Sequence, residues 1–167
     1  MTVIDNHRRQ SVYDGTTASS SLSDNLQRAL TDLIELHLTG KQAHWNIVGT
    51  NFRDLHLQLD ELVEFARGAS DDVAERMRAL NAVPDGRSDT VASNTTLPQF
   101  PAGEISTASA VELVTARTYA AAETLRSVRE PVELEDPTTA DLLDQFIIEL
   151  EKQAWLIKSE TRLPRAL

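Results

Sequence analysis

Cysteine is absent, which excludes disulfides, thiolate metal sites and cysteine nucleophiles and gives no sign of an oxidising compartment. Aromatic residues make up only 5% of the 167 residues and there are only 6 glycines; with 41% hydrophobic residues, this suits one all-helical domain with a sizeable core. Basic side chains are also in short supply. Against 26 Asp and Glu stand 16 Lys and Arg, and the formal charge of -10 disfavours nonspecific binding of nucleic acid or acidic membrane by the folded body and favours cations as partners. No run of about 18 apolar residues occurs, and the opening MTVIDNHRRQSVYDG has no continuous apolar stretch. Neither membrane insertion nor secretion is therefore indicated, and the cytoplasm is the expected location.

Helical periodicity fills most of what remains. Residues 1–21, which include Arg8 and Arg9 against Asp5 and Asp14 and then a Ser/Thr-rich run, lack it and read as a flexible N-terminal tail, while 162–167 read as a short C-terminal tail. The body, 22–161, opens with a helix capped near Ser23 or Asp24 that continues through Leu26, Leu30, Leu33, His37 and His44 to about Val48. Gly49-Thr50-Asn51 breaks it, so the second helix, to about Leu80, returns antiparallel; Leu57 and Phe65 lie off its core stripe, which suggests burial against another subunit. Pro84-Asp85-Gly86 leads into a long crossover with room for a short helix around Arg87 to Ser93. A third helix starts near Ser106 or Thr107 and is expected to stop at Pro131; Asp136-Pro137 supplies an N-cap and first-turn proline for the fourth, which ends before Pro164. The pattern predicts an all-α, ferritin-like four-helix bundle with a short helix in the long crossover between the second and third helices.

The chemistry concentrates between Lys41 and Glu75. On the second helix His56, Asp60, Asp71 and Glu75 fall within an arc of roughly 100°, beside the apolar stripe of Leu55, Leu59, Leu62, Val63, Ala66, Val73, Met77 and Leu80. An imidazole and three acids thus lie at the edge of the core. The Glu-x-x-His element that builds a di-iron site inside one bundle does not occur in the chain. A centre for iron or zinc therefore needs His44 of one chain to meet carboxylates of another. The plain alternative is a core or interface histidine beside a solvated acidic stripe.

The stretch KQAHWNIVGTNFRDLHLQLDELVE, followed by ASDDVAERM, resembles the signature of the Dps family (DNA-binding proteins from starved cells), the dodecameric mini-ferritins. Lys-x-x-His-Trp-Asn, a second His twelve residues after the first, an Asp four beyond it and an Asp-x-x-x-Glu eleven further on carry the likeness, and TADLLDQF and EKQAWLI extend it over about 22–161. The resemblance implies a ferroxidase site shared between subunits, with His44 and His56 from one and Asp60 and Glu75 from its two-fold mate, holding two irons. Asp71 belongs to the same metal set or holds Lys41 by a salt bridge, and Trp45 lies close enough to donate an electron. It also implies Fe(II) and hydrogen peroxide as substrates, storage of Fe(III) mineral, protection against oxidative stress, and a three-fold entry pore for which Asp136, Asp141 and Asp144 are candidates, Asp141 aligning through TADLL. DNA binding is expected to be weak or absent, because Arg8, Arg9, Arg162 and Arg165 are few against an acidic shell. A non-enzymatic DNA-compacting protein and a metal-dependent hydrolase on the same cage are the rival readings.

Overall fold

The computed structural model describes residues 16–164. The sequence expectations for most of the N-terminal tail, with Arg8 and Arg9, and for Arg165 at the other end lie outside the described residues. Five helices make up the body: α1 (Ser20–Asn46), α2 (Phe52–Ala79), the short α3 (Ser88–Asn94), α4 (Thr107–Glu135) and α5 (Pro137–Ser159). Two residue pairs, β1 (Ile47–Val48) and β2 (Ile105–Ser106), bond in parallel with Ile47 opposite Ile105. That pairing fixes the topology. The chain leaves the end of α1, climbs α2, and must travel the whole bundle through α3 and the crossover before β2 lies beside β1 and α4 begins. Contacts at both ends agree: Ser19 and Arg76 meet Glu135 and Asp136 at one, and Asn51 meets Glu160 at the other. This is the connectivity of a ferritin-like bundle.

The boundaries shift where tertiary contacts outweigh local signals. α1 starts at Ser20 rather than near Ser23, because Leu22 is a core residue and needs a helical turn beneath it. The Ser19 hydroxyl accepts from the Leu22 N–H at 3.1 Å and donates to Glu135 at 2.6 Å, and the Ser19 N–H reaches the same carboxylate at 2.8 Å. α4 does not stop at Pro131. The proline is exposed and forfeits only its own N–H bond, a loss on the order of 3 kcal/mol with the ring clash included. Against that, Val132 is fully buried beyond it, the Asp136 N–H bonds the Val132 carbonyl at 2.7 Å, and Glu135 is needed at the start of α1. Phe65 also departs from expectation: it packs on the core of its own chain, edge-on to Phe146 with ring centroids 6.1 Å apart, whereas Leu57 is exposed.

Two buried ionisable residues tie the crossover down. Asp32 on α1, 1% exposed, accepts from the Thr95 hydroxyl (2.8 Å), the Thr96 N–H (2.8 Å) and hydroxyl (2.6 Å) and the Thr124 hydroxyl of α4 (2.7 Å). Four donors satisfy the carboxylate oxygens without a cation. Arg117 of α4, also buried, donates to the carbonyls of Leu113 and Gln99 and lies 4.8 Å from the Phe100 ring centre. The crossover is thereby fastened to both α1 and α4. Removing one hydrogen bond to a charged group costs about 1.5–3 kcal/mol, so Thr124→Val is expected to lose that much on chemical denaturation and Asp32→Ala, which orphans every donor, distinctly more. A neutral Thr124→Val would show that the network is incidental.

Candidate metal centre

The link between α1 and α2 decides what meets at their shared end. Gly49 takes φ +126°, and a Cβ there would stand 3.2 Å from the Thr107 hydroxyl; Asn51 follows in the left-handed region at φ 57°. Only glycine fits the first position without strain. The last turn of α1 and the first turns of α2 then face each other, which brings His44 against His56 with ring centroids 3.6 Å apart at 24°. Phe52, one turn before His56, stacks on its other side at 5.1 Å.

The two imidazoles lock each other's tautomer. Nδ1 of His44 is 3.1 Å from the His56 carbonyl and Nδ1 of His56 is 3.1 Å from the His44 carbonyl. A carbonyl oxygen only accepts, so each neutral ring carries its proton on Nδ1 and leaves Nε2 as a lone-pair donor. This is the outer bonding that orients metal-binding histidines. Burial lowers the His44 pKa; its bond to the His56 carbonyl and the Asp60 charge oppose that and do not overcome it, so the neutral ring persists. Asp60 completes the cluster, with Oδ1 3.2 Å from His44 Nδ1 and 2.5 Å from Lys41 Nζ. The hydrogen bond from Lys41 holds its carboxyl below the usual range. One ligand atom from each of His44, His56 and Asp60 lies within 4.8 Å of the others, two nitrogens and an oxygen suited to iron or zinc.

Within one chain the candidate residues fall into two groups. Asp60 stands with the histidines of its own chain rather than with Glu75, and Lys41 pairs with Asp60 rather than Asp71. Asp71 and Glu75 are exposed further along α2, Glu75 fifteen residues past Asp60 and so about 22 Å away along the axis. They cannot reach the cluster of their own chain. Trp45 follows His44 and is 69% exposed. Of the pore candidates, Asp136 is taken by Arg76 (2.6 Å) and the Thr139 hydroxyl, and Asp144 makes a two-pronged pair with Arg129 (2.7 and 2.9 Å) that holds its pKa down. Asp141 is exposed and joins no ion pair among the described residues. Sequence reasoning passed over Phe52, although its four-residue spacing from His56 on one helix was the available signal.

The described helices therefore define a ferritin-like bundle with a histidine–carboxylate cluster at one end. A family model for the ferritin-like domain matches residues 23–166. The chain is 36% identical over 134 residues to DNA protection during starvation protein 2 of Deinococcus radiodurans, covering 80% of this chain but 56% of that protein, so it spans little more than half of that relative. It is 33% identical to the DNA protection during starvation protein of Mycolicibacterium smegmatis, covering 84% and 77% respectively. The crystal structure of Dps92 from Deinococcus radiodurans superposes with a TM-score of 0.82 at 34% identity, over 86% of this chain and 88% of that one. The chain belongs to the Dps family of ferritin-like proteins.

The tautomer lock is open to direct test. Imidazole 15N shifts of the metal-free protein at pH 8 are expected to show both His44 and His56 protonated at Nδ1; a dominant Nε2–H form of either ring would mean that the reciprocal carbonyl bonds do not set the donor atoms.

Proposed function

We propose that this chain is the subunit of a homo-oligomeric cage, a dodecamer on the family pattern, that oxidises Fe(II), preferably with hydrogen peroxide, and stores Fe(III) as mineral, which protects against oxidative stress. The observation that carries this reading is the convergence of His44, His56 and Asp60 within 4.8 Å at the edge of the α1–α2 pair. Membership of the ferritin-like family supports iron storage and oxidative protection in general terms. Three donors leave an Fe(II) ion short of its preferred coordination, and the carboxylates that would complete it, Asp71 and Glu75, enter no ion pair among the described residues and stand toward the far end of α2. Two copies related by a two-fold axis, with their α2 helices antiparallel, supply each other.

Each residue then has a task as Fe(II) enters as substrate. His44 and His56 present Nε2, Asp60 exchanges Lys41 for the metal, and Asp71 and Glu75 of a second subunit close the site around two irons. Two Fe(II) give one electron each to one hydrogen peroxide, which takes up two protons and leaves as two waters, so no hydroxyl radical is released. In this reading Trp45, adjacent to His44 in sequence and exposed, supplies an electron when only one iron is bound. Asp141, lacking an intrachain partner, remains the pore residue of this reading, while Asp136 and Asp144 serve the corner between α4 and α5.

Two measurements test the reading. His44→Ala and Glu75→Ala chains are each expected to lose peroxide-dependent Fe(II) oxidation, yet co-assembled from denaturant they are expected to regain about a quarter of the wild-type sites, because half the two-fold pairs are mixed and each mixed pair keeps one intact site. Ligands confined to one chain would give no recovery. Asp141→Asn is expected to slow iron uptake without changing thermal stability, whereas Asp144→Asn lowers stability by releasing Arg129; equal uptake by the wild type and the Asp141 variant would remove Asp141 from the entry route.

A further inference from the structure

Six polar side chains on one face of α2 are spaced as a two-fold axis requires. His56, Asp60, Glu64, Arg67, Asp71 and Glu75 follow at intervals of 4, 4, 3, 4 and 4 residues, and at about 100° per residue all six fall within roughly 100° of the helix circumference. The intervals read the same in both directions. Two antiparallel copies of α2, related by an axis midway between Glu64 and Arg67, bring His56 opposite the partner's Glu75, Asp60 opposite the partner's Asp71, and Glu64 opposite the partner's Arg67. An isologous contact demands this reciprocity.

We infer that Glu64 and Arg67 form a reciprocal pair of intersubunit salt bridges across this axis, and that these bridges set the register in which two chains complete each other's metal centres. The inference rests on the reading that Asp71 and Glu75 complete the half-site of a second copy. Its support is independent of iron. Glu64 and Arg67 are both exposed and, although one helical turn apart, neither enters an ion pair among the described residues. Both line a groove of about 670 Å³ bounded by α1, α2 and Pro84 and Gly86 of the crossover, whose lining also includes Ile34, Ala74 and Asp71. Gly68, beside them, has nothing within 4 Å of where a Cβ would stand, so a second helix can approach there.

Charge complementarity selects a second copy as the occupant. Of the three pairings only Glu64 with Arg67 joins opposite charges without help; Asp60 with the partner's Asp71 juxtaposes two acids and calls for a cation between them. The bridges nearest the axis thus hold the register, and the ends hold the metal. From the midpoint of His56 and Asp60 to that of Asp71 and Glu75 is fifteen residues, so the two centres of a pair lie about 22 Å apart along the helix.

A charge swap on the full chain tests this. Glu64→Arg and Arg67→Glu are each expected to weaken metal-free self-association, followed by sedimentation equilibrium on dilution, by at least about tenfold, since each replaces two attractions by two repulsions; the double variant Glu64→Arg/Arg67→Glu is expected to recover most of it, and Co(II) binding read from its visible absorption is expected to follow association. Circular dichroism of these surface variants checks that the helices are intact. Single reversals that leave association unchanged, or a double variant that does not recover, overturn the inference. If this happens while Glu75→Ala still abolishes Co(II) binding, the shared site stands and only the register device is refuted; if Glu75→Ala leaves Co(II) binding unchanged, the shared site itself fails and takes the register with it.

Discussion

The close approach of α1 and α2 is the constraint on which the rest depends. A Cβ on Gly40 would meet the Val63 side chain at 3.0 Å, so the two helix axes are as near as the missing side chain allows. That separation lets an imidazole on one helix reach the backbone carbonyl of the other, and both histidines do so at 3.1 Å. A wider pair would leave each ring free to rotate about χ2. It would also cost dispersion along the whole seam of Leu33, Leu36, Leu59 and Leu62, all fully buried. Packing and chemistry therefore share one cause.

Fastening α1 and α2 at one end does not orient the remaining pair, and polar ties made elsewhere do that. Asp32 and Arg117 are buried charges that enter no ion pair among the described residues; Asp32 accepts from Thr95 and Thr96 of the crossover and Arg117 donates to the Gln99 carbonyl there, so each joins that irregular segment to a regular helix. Buried charge is costly unless its hydrogen-bonding capacity is met. An alternative path for residues 95–100 would leave both stranded, so the expense falls on competing topologies. At the opposite corner Glu135 and Asp136, adjacent in sequence, hold the starts of α1 and α5 against the end of α2.

How much of this was legible in the sequence follows from the range of each interaction. The helix break at Gly49, the turn into the crossover at Pro84, the short α3 and the opening of α5 at Asp136-Pro137 rest on local stereochemistry, and the chain shows them. The start of α1 and the passage of α4 through Pro131 rest on Glu135, more than a hundred residues from Ser19, and no local rule foretold either. In the metal centre, helical spacing gathered His56, Asp60, Asp71 and Glu75 onto one face but said nothing of how far along that face each lies from His44. The tight turn after α1 answers that: only the first three turns of α2 are within reach, which admits His56 and Asp60 and puts Asp71 and Glu75 out of reach of His44 in the same chain.

On the proposed reading, the site suits a metal that passes through rather than one that stays. Closed structural sites satisfy their ion with ligands of one chain and bind during folding. Here the core is complete without a metal, Lys41 already neutralises Asp60, and the two nitrogen donors are preset by backbone bonds that no ion is needed to form. On the proposed reading, binding displaces an ammonium and draws on a second subunit, both of which weaken it. Weak binding that leaves coordination positions open is what an oxidant needs in order to reach Fe(II), and Fe(III) to leave for a mineral. The acidic excess of the chain compensates on the approach side, since a net charge of -10 per subunit concentrates cations around the surface without tightening any one site.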